Sequence, residues 1–270
     1  MKQLLLAFQF LTIIPTQVRG EVSERDIAQS AAFFPAVGAF QGMVISLSAA
    51  LFLKLFSPEI AGSLLLLLLT LSNGGFHIDG LADTFDALAV KSRGDRELDR
   101  EKRLAVMKDS TTGAIGVVAI LITILLKYLF IHNILITASI FTAYSALFLM
   151  PVFSKWIMIP AMYHGTSARQ NGLGRIFLNG VKGNTVIFSS LLVALCYIAV
   201  AELHLLKMYG PDSIVLFLIL FAALYALSVL AVRFCEQRFG GLTGDNLGAL
   251  SEVSEIIFLA VITLWLQHFI

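Results

Sequence analysis

Long apolar runs alternate along the chain with shorter polar segments, and the runs fall at 31–56, 58–75, 113–131, 134–160, 185–206, 213–232 and 255–270. About 20 apolar residues in a helix cover a bilayer core of roughly 30 Å, so most of these runs are long enough to cross. The run at 58–75 is the weakest, because its purely apolar part, Ile60 to Leu71, is short and also fits a partly re-entrant segment. The runs are continuous, with six leucines from Leu64 to Leu69, and lack the two-residue alternation of a membrane β-barrel. The pattern predicts an all-α, polytopic transmembrane helix bundle of about seven spans. No internal repeat, low-complexity tract or linker divides it, so residues 1–270 are expected to form a single integral membrane domain.

Composition agrees: 58% of residues are hydrophobic, 14% are charged and the mean hydropathy is +0.86, which excludes an ordinary water-soluble domain. Charge then orients the bundle. Lys and Arg number three over 1–30, seven over 76–112, three over 162–184 and two over 233–254. These are alternate loops, so the positive-inside rule makes them cytosolic, in a bacterial cytoplasmic (inner) membrane. The acids keep to the same side apart from Glu59, Glu202 and Asp212, so any chemistry faces the cytosol. Lys54, Lys127, Lys155 and Lys207 lie near expected span ends, where a long side chain snorkels to the headgroups. His132, His204 and His268 are expected at interfaces, and the two cysteines, Cys196 and Cys235, have neither disulfide nor zinc spacing. Met1 to Pro15 has no small-residue cleavage site and reads as a retained interfacial helix. The lipid bilayer is the evident partner, and no nucleic-acid partner is expected.

The chemistry concentrates in His77-Ile78-Asp79-Gly80-Leu81-Ala82-Asp83-Thr84-Phe85-Asp86. Asp79, Asp83 and Asp86 stand at i, i+4 and i+7, so on a helix their carboxylates share one face. Three like charges repel, and a divalent cation relieves them; oxygen-only ligands suit Mg²⁺ or Mn²⁺ better than zinc. The bland alternative is a solvated acidic face, but the run follows directly on an apolar span and has no lysine at the compensating positions.

A second cluster, Gly240 to Glu255, repeats the seven-residue spacing with Asp245 and Glu252, which could complete a metal shell on the same face. Its glycines serve equally to pack a helix, and Glu255, just inside the last span, could be a buried partner for an arginine. Arg103 to Gly113 brings Lys108, Asp109 and Ser110 to the start of the third span, either as an anion site at the helix N-terminus or as plain capping by Asp109 or Ser110. The charges of 91–103 alternate in sign and read as a solvated helix. Arg169 and Arg175 flank a Gly-x-Gly turn that could clamp a phosphate.

Taken together, Gly74 to Leu88, Met107-Lys108-Asp109-Ser110 with Gly113 and Gly116, Gly172-Leu173-Gly174, and Gly240 to Ala249 with Glu252 strongly resemble the cobalamin synthase (adenosylcobinamide-GDP ribazoletransferase) family, in order along the whole chain. The resemblance implies a Mg²⁺-dependent membrane enzyme that joins adenosylcobinamide-GDP to α-ribazole or its 5′-phosphate, giving adenosylcobalamin or its 5′-phosphate and GMP. It leaves open self-association or a complex with other cobalamin-assembly enzymes. In that frame Asp79, Asp83, Asp86, Asp245 and Glu252 are the candidate metal ligands, and Asp83 or Asp86 the base. His77, Lys108, Ser110, Arg169 and Arg175 are the candidate substrate-binding residues. The chemistry is that of CDP-alcohol phosphotransferases, whose Asp-Gly-x-x-Ala-Arg differs from Asp79-Gly80-Leu81-Ala82-Asp83 here. A phospholipid-type transferase is the rival enzyme reading, which the altered motif argues against, and a transporter, which needs ionisable groups at span centres, is the more distant one.

Overall fold

The computed structural model describes residues 1–202 and 211–269. The helices are α1 (Lys2–Leu11), α2 (Glu24–Ser30), α3 (Phe34–Leu55), α4 (Pro58–Ser72), α5 (Phe76–Leu88), α6 (Arg96–Val106) and α7 (Ala114–Thr137). They continue with α8 (Ile140–Trp156), α9 (Met158–His164), α10 (Leu173–Gly180), α11 (Gly183–Glu202), α12 (Pro211–Phe239) and α13 (Gly244–Phe269). Among the described residues there is no strand, only an isolated bridge between Ser167 and Leu242.

Among the described residues, six helical segments are long and apolar enough to cross a membrane: α2 with α3, α7, α8 with α9, α11, α12 and α13. α8 is the axis, with 94% of its most apolar window buried by its neighbours. Its Phe153 and Trp156 pack on Phe217, Phe221 and Phe258. α3 comes close enough that a methyl group on Gly42 would lie 2.1 Å from the Phe148 carbonyl oxygen. The outer helices turn Leu121, Ile187, Leu191, Leu218 and Leu230 outward, as a bundle solvated by lipid does. The seventh segment, α4, has 15 residues and meets α5 at 86°. Gly74 and Gly75 make that corner with φ of +66° and +76°, a left-handed pair that side chains disfavour. α5 thus turns away from α4 across the bundle's end and lies outside the six spans.

Two boundaries move. α7 runs on through His132 and Asn133 to Thr137, and the partly exposed His132 lies 3.5 Å from the exposed Glu59 at the start of α4. α12 extends to Phe239 and α13 begins at Gly244, eleven residues earlier than the apolar run, so the expected loop shrinks to 240–243. A reciprocal cap explains the early start: the Thr243 hydroxyl accepts the Asn246 N–H at 3.2 Å, while the Asn246 side chain accepts the Thr243 N–H at 3.0 Å. The alternating charges of α6 do not merely face solvent. Arg100 and Arg103 donate to the carbonyls of Glu236 and Arg238, satisfying the C-terminal end of α12. His204 and Lys207 lie outside the described residues.

The largest departure concerns the lysines. Lys54 is exposed near a helix end, as expected, but Lys127 and Lys155 are 2% and 0% exposed and do not snorkel. Lys127 on α7 pairs with both Glu252 and Glu255 of α13, at 2.5 Å each. Lys155 on α8 lies 3.7 Å from Glu255 and 3.2 Å from both Ser251 Oγ and His77 Nδ1. Ser154 donates to Glu255 at 2.9 Å. An unpaired charge this deep would be costly, so two ammonium groups and two carboxylates assemble at the junction of three helices. Replacing Lys127 with Met should cost about 3–5 kcal/mol, since it leaves two buried carboxylates short of a cation. The double variant K127M/E252Q should lose less than K127M alone, and thermal unfolding in detergent reads the difference.

Candidate active site

The carboxylate stripe rests on how closely α5 lies against α13. A Cβ on Gly80 would come 2.7 Å from the Asp245 carbonyl oxygen, and one on Gly248 3.1 Å from the His77 Cα. Small residues let helices in lipid approach this way. Below the contact, Leu81 packs with Ala119 and Ala249. At its upper end Asn246 donates to the Thr84 hydroxyl at 3.1 Å. Asp245 is thereby set beside the face that carries Asp79, Asp83 and Asp86.

These groups sense each other. Burial, then the charges of Asp79, Asp245 and Asp86, push the Asp83 carboxyl up to about 6, against a smaller lowering by Arg169. Arg169 is the nearby cation, with Nη2 3.0 Å from Asp245 Oδ2. It is held there because the Leu242 N–H donates to the Thr166 carbonyl at 2.7 Å and the Ala168 N–H to the Leu242 carbonyl at 2.9 Å, pinning the α9–α10 connector to the α12–α13 loop.

Four carboxylates against one guanidinium leave an uncompensated negative face. Among the described residues no three His, Cys, Asp or Glu side chains converge as a ready-made metal cage. The donor set on this face, aspartate oxygens alone, is the kind Mg²⁺ takes together with waters and substrate phosphates. It does not fit zinc, which wants Cys and His held in a closed shell.

Asp86 has a structural task. Its two carboxylate oxygens accept the backbone N–H groups of Gly113 and Gly116, at 2.7 Å each, and so cap the start of α7. A Cβ at Gly116 would lie 2.3 Å from that carboxylate. The anion at this helix N-terminus is therefore a side chain from α5, in place of a substrate phosphate or a cap by Asp109 or Ser110. Lys108 and Ser110 are exposed in the connector that ends at this cap.

Three further candidates sit elsewhere. Glu252 lies two helical turns, roughly 10 Å, deeper along α13 than Asp245, bound to Lys127. His77 is buried beside Lys155, its ring turned into the interior network and not toward the carboxylate face. Arg175 reaches Glu24 of α2 at 2.8 Å, so it and Arg169 do not form one clamp. The interior role of Lys127 and Lys155 escaped the sequence reading, although Lys127, thirteen residues into α7, is too far from its start to be an end residue there.

The fold is that of a multi-pass membrane protein, with the carboxylate face outside its six long apolar segments. The family model for cobalamin-5-phosphate synthase matches residues 3–263, and the chain belongs to that family. Among curated proteins, it is 36% identical to the adenosylcobinamide-GDP ribazoletransferase of Thermodesulfovibrio yellowstonii, over 98% of each chain. It is 33% identical to that of Geotalea daltonii, over 94% of each. The one from Desulfitobacterium hafniense is 31% identical, over 96% of this chain and 95% of the relative. No solved structure matches.

Replacing Asp86 with Ala should destabilise the protein by about 1–2 kcal/mol through loss of the α7 cap, visible as a lower unfolding temperature. Asp86→Asn, which keeps an acceptor, should lose less.

Proposed function

We propose that the protein joins adenosylcobinamide-GDP to α-ribazole or its 5′-phosphate and releases GMP, at the cytosolic face of the cytoplasmic membrane. The observation that carries this reading is the placement of Asp245 beside the α5 carboxylates by the Gly80 contact. Membership of the family and the names of its relatives supply the substrates. The distribution of Lys and Arg supports the orientation.

Asp79 and Asp245 are the side chains that would hold Mg²⁺, with Asp83 adjoining them. The cation supplies charge neutralisation on the diphosphate. Arg169 steadies the phosphates from the pinned connector, through a planar fork suited to two oxygens at once. The ribazole hydroxyl oxygen bonds to the phosphorus that carries cobinamide, the bond from that phosphorus to the GMP oxygen breaks, and GMP leaves. The hydroxyl proton passes to Asp83, whose side chain makes no hydrogen bond among the described residues, whereas both oxygens of Asp86 are engaged.

The test is GMP release from adenosylcobinamide-GDP and α-ribazole by the purified, lipid-reconstituted protein. Chelation should abolish release and added Mg²⁺ restore it. Asp83→Asn should lower turnover about 10²–10⁴-fold at saturating Mg²⁺. Unchanged turnover would remove Asp83 from the site, and release of CMP from a CDP-alcohol in place of GMP would favour the phospholipid-type reading.

A further inference from the structure

A cleft of about 500 Å³ opens between α2, α10 and the start of α11. Its walls carry Arg25, Arg175 and Lys182, with Asn179 and Asn184 between them and Glu24 as the acid. Glu24 is already matched by Arg175, at 2.8 Å. Neither Arg25 nor Lys182 has an acidic partner among the described residues, so the cleft holds two cations in excess. Its walls are preformed: a methyl group on Gly180 would lie 2.3 Å from the Ala28 Cβ, which fixes α10 tightly on α2.

The cleft is joined to the carboxylate face through one short stretch of chain. Arg169, on the connector into α10, pairs with Asp245. Gly174 packs against Gly244, where a Cβ would come 3.1 Å from the backbone nitrogen. Arg175 is the next residue, about 3.8 Å further along the chain, and its side chain turns to the opposite side of the connector. Arg175, in the cleft wall, thus follows directly on the glycine that meets the start of α13.

Two unmatched cations, Arg25 and Lys182, beside the Arg175–Glu24 pair and two amides suit a phosphate monoester, which carries close to two negative charges and three acceptor oxygens. We infer that this cleft is a phosphate-monoester site occupied by the 5′-phosphate of the acceptor nucleoside, so that Arg25, Arg175 and Lys182 set the preference between α-ribazole 5′-phosphate and α-ribazole. The inference rests on the ribazole-transfer reading and adds to it a second subsite, separate from the carboxylate face. It accounts for the direction of Arg175, which the carboxylate face leaves unused.

The experiment compares both acceptors with the wild-type protein and the R25Q/K182Q variant, in the full chain reconstituted in neutral and in anionic lipid. Both residues are exposed, so the variant should fold normally. The KM for the phosphorylated acceptor should rise about tenfold or more, as expected when charge-assisted contacts to a phosphate are lost. The KM for α-ribazole should stay within about twofold, and kcat should be unchanged with either acceptor. Equal changes for both acceptors would overturn the inference. So would a variant whose only loss is a stimulation by anionic lipid, because the cleft would then hold a lipid headgroup. If the wild type released no GMP from either acceptor, the transfer reading itself would fail. The cleft is then judged by calorimetry: wild-type binding of α-ribazole 5′-phosphate, competed by inorganic phosphate and weakened about tenfold in the variant, supports it, and equal binding by both proteins sinks it.

Discussion

Two ammonium groups inside an apolar bundle must find carboxylates, and here α13 supplies both. The pairing of Lys127 with Glu252 and Glu255, extended through Lys155 to Ser154, Ser251 and His77, ties α7, α8 and α13 together and fastens the start of α5 to them. Apolar packing alone would tolerate a helix sliding along its neighbour in lipid, since every register buries similar surface. A charge cluster does not, because a shift of one turn separates partners that cannot be left unpaired at that depth. The register of α13 is set from within.

The position of the carboxylate face follows from that register. With Glu252 and Glu255 held in the interior, Asp245 falls at the upper end of the same helix, and the Gly80 contact lays α5 across it. Four acids then share one face, with Arg169 paired to Asp245. Their mutual repulsion is stable only because the apolar sides of α5 and α13 are packed and Asp86 is drawn aside to cap α7. Interior and surface acids thus have different tasks: the deep pair neutralises lysines and fixes geometry, while the outer set remains available to a cation and a phosphate.

Much of this was legible in the chain. Continuous apolar runs announce membrane helices, and the i, i+4, i+7 placement of Asp79, Asp83 and Asp86 announces one acidic face, because both depend on local periodicity. What periodicity cannot show is which partner a side chain meets. Asp245 and Glu252 repeat the same spacing, yet one faces the carboxylate set and the other a lysine on α7, a distinction made entirely by packing. Asp86 looks like its neighbours in sequence but answers to backbone N–H groups about thirty residues away. Lys127 and Lys155 read as end residues because apolar runs do not reveal how far a helix continues, and the cap formed by Thr243 and Asn246 carried α13 well beyond its apolar part.

The proposed pairing of Asp79 and Asp245, far apart in sequence, on one cation is read by Mn²⁺ binding, followed by electron paramagnetic resonance, to the wild type and to D79N, D245N and the double variant with a nucleoside diphosphate present. If the two serve one cation, each single variant weakens the same site and the double variant loses little more than either one. Independent, additive losses, or wild-type binding in both single variants, would contradict it.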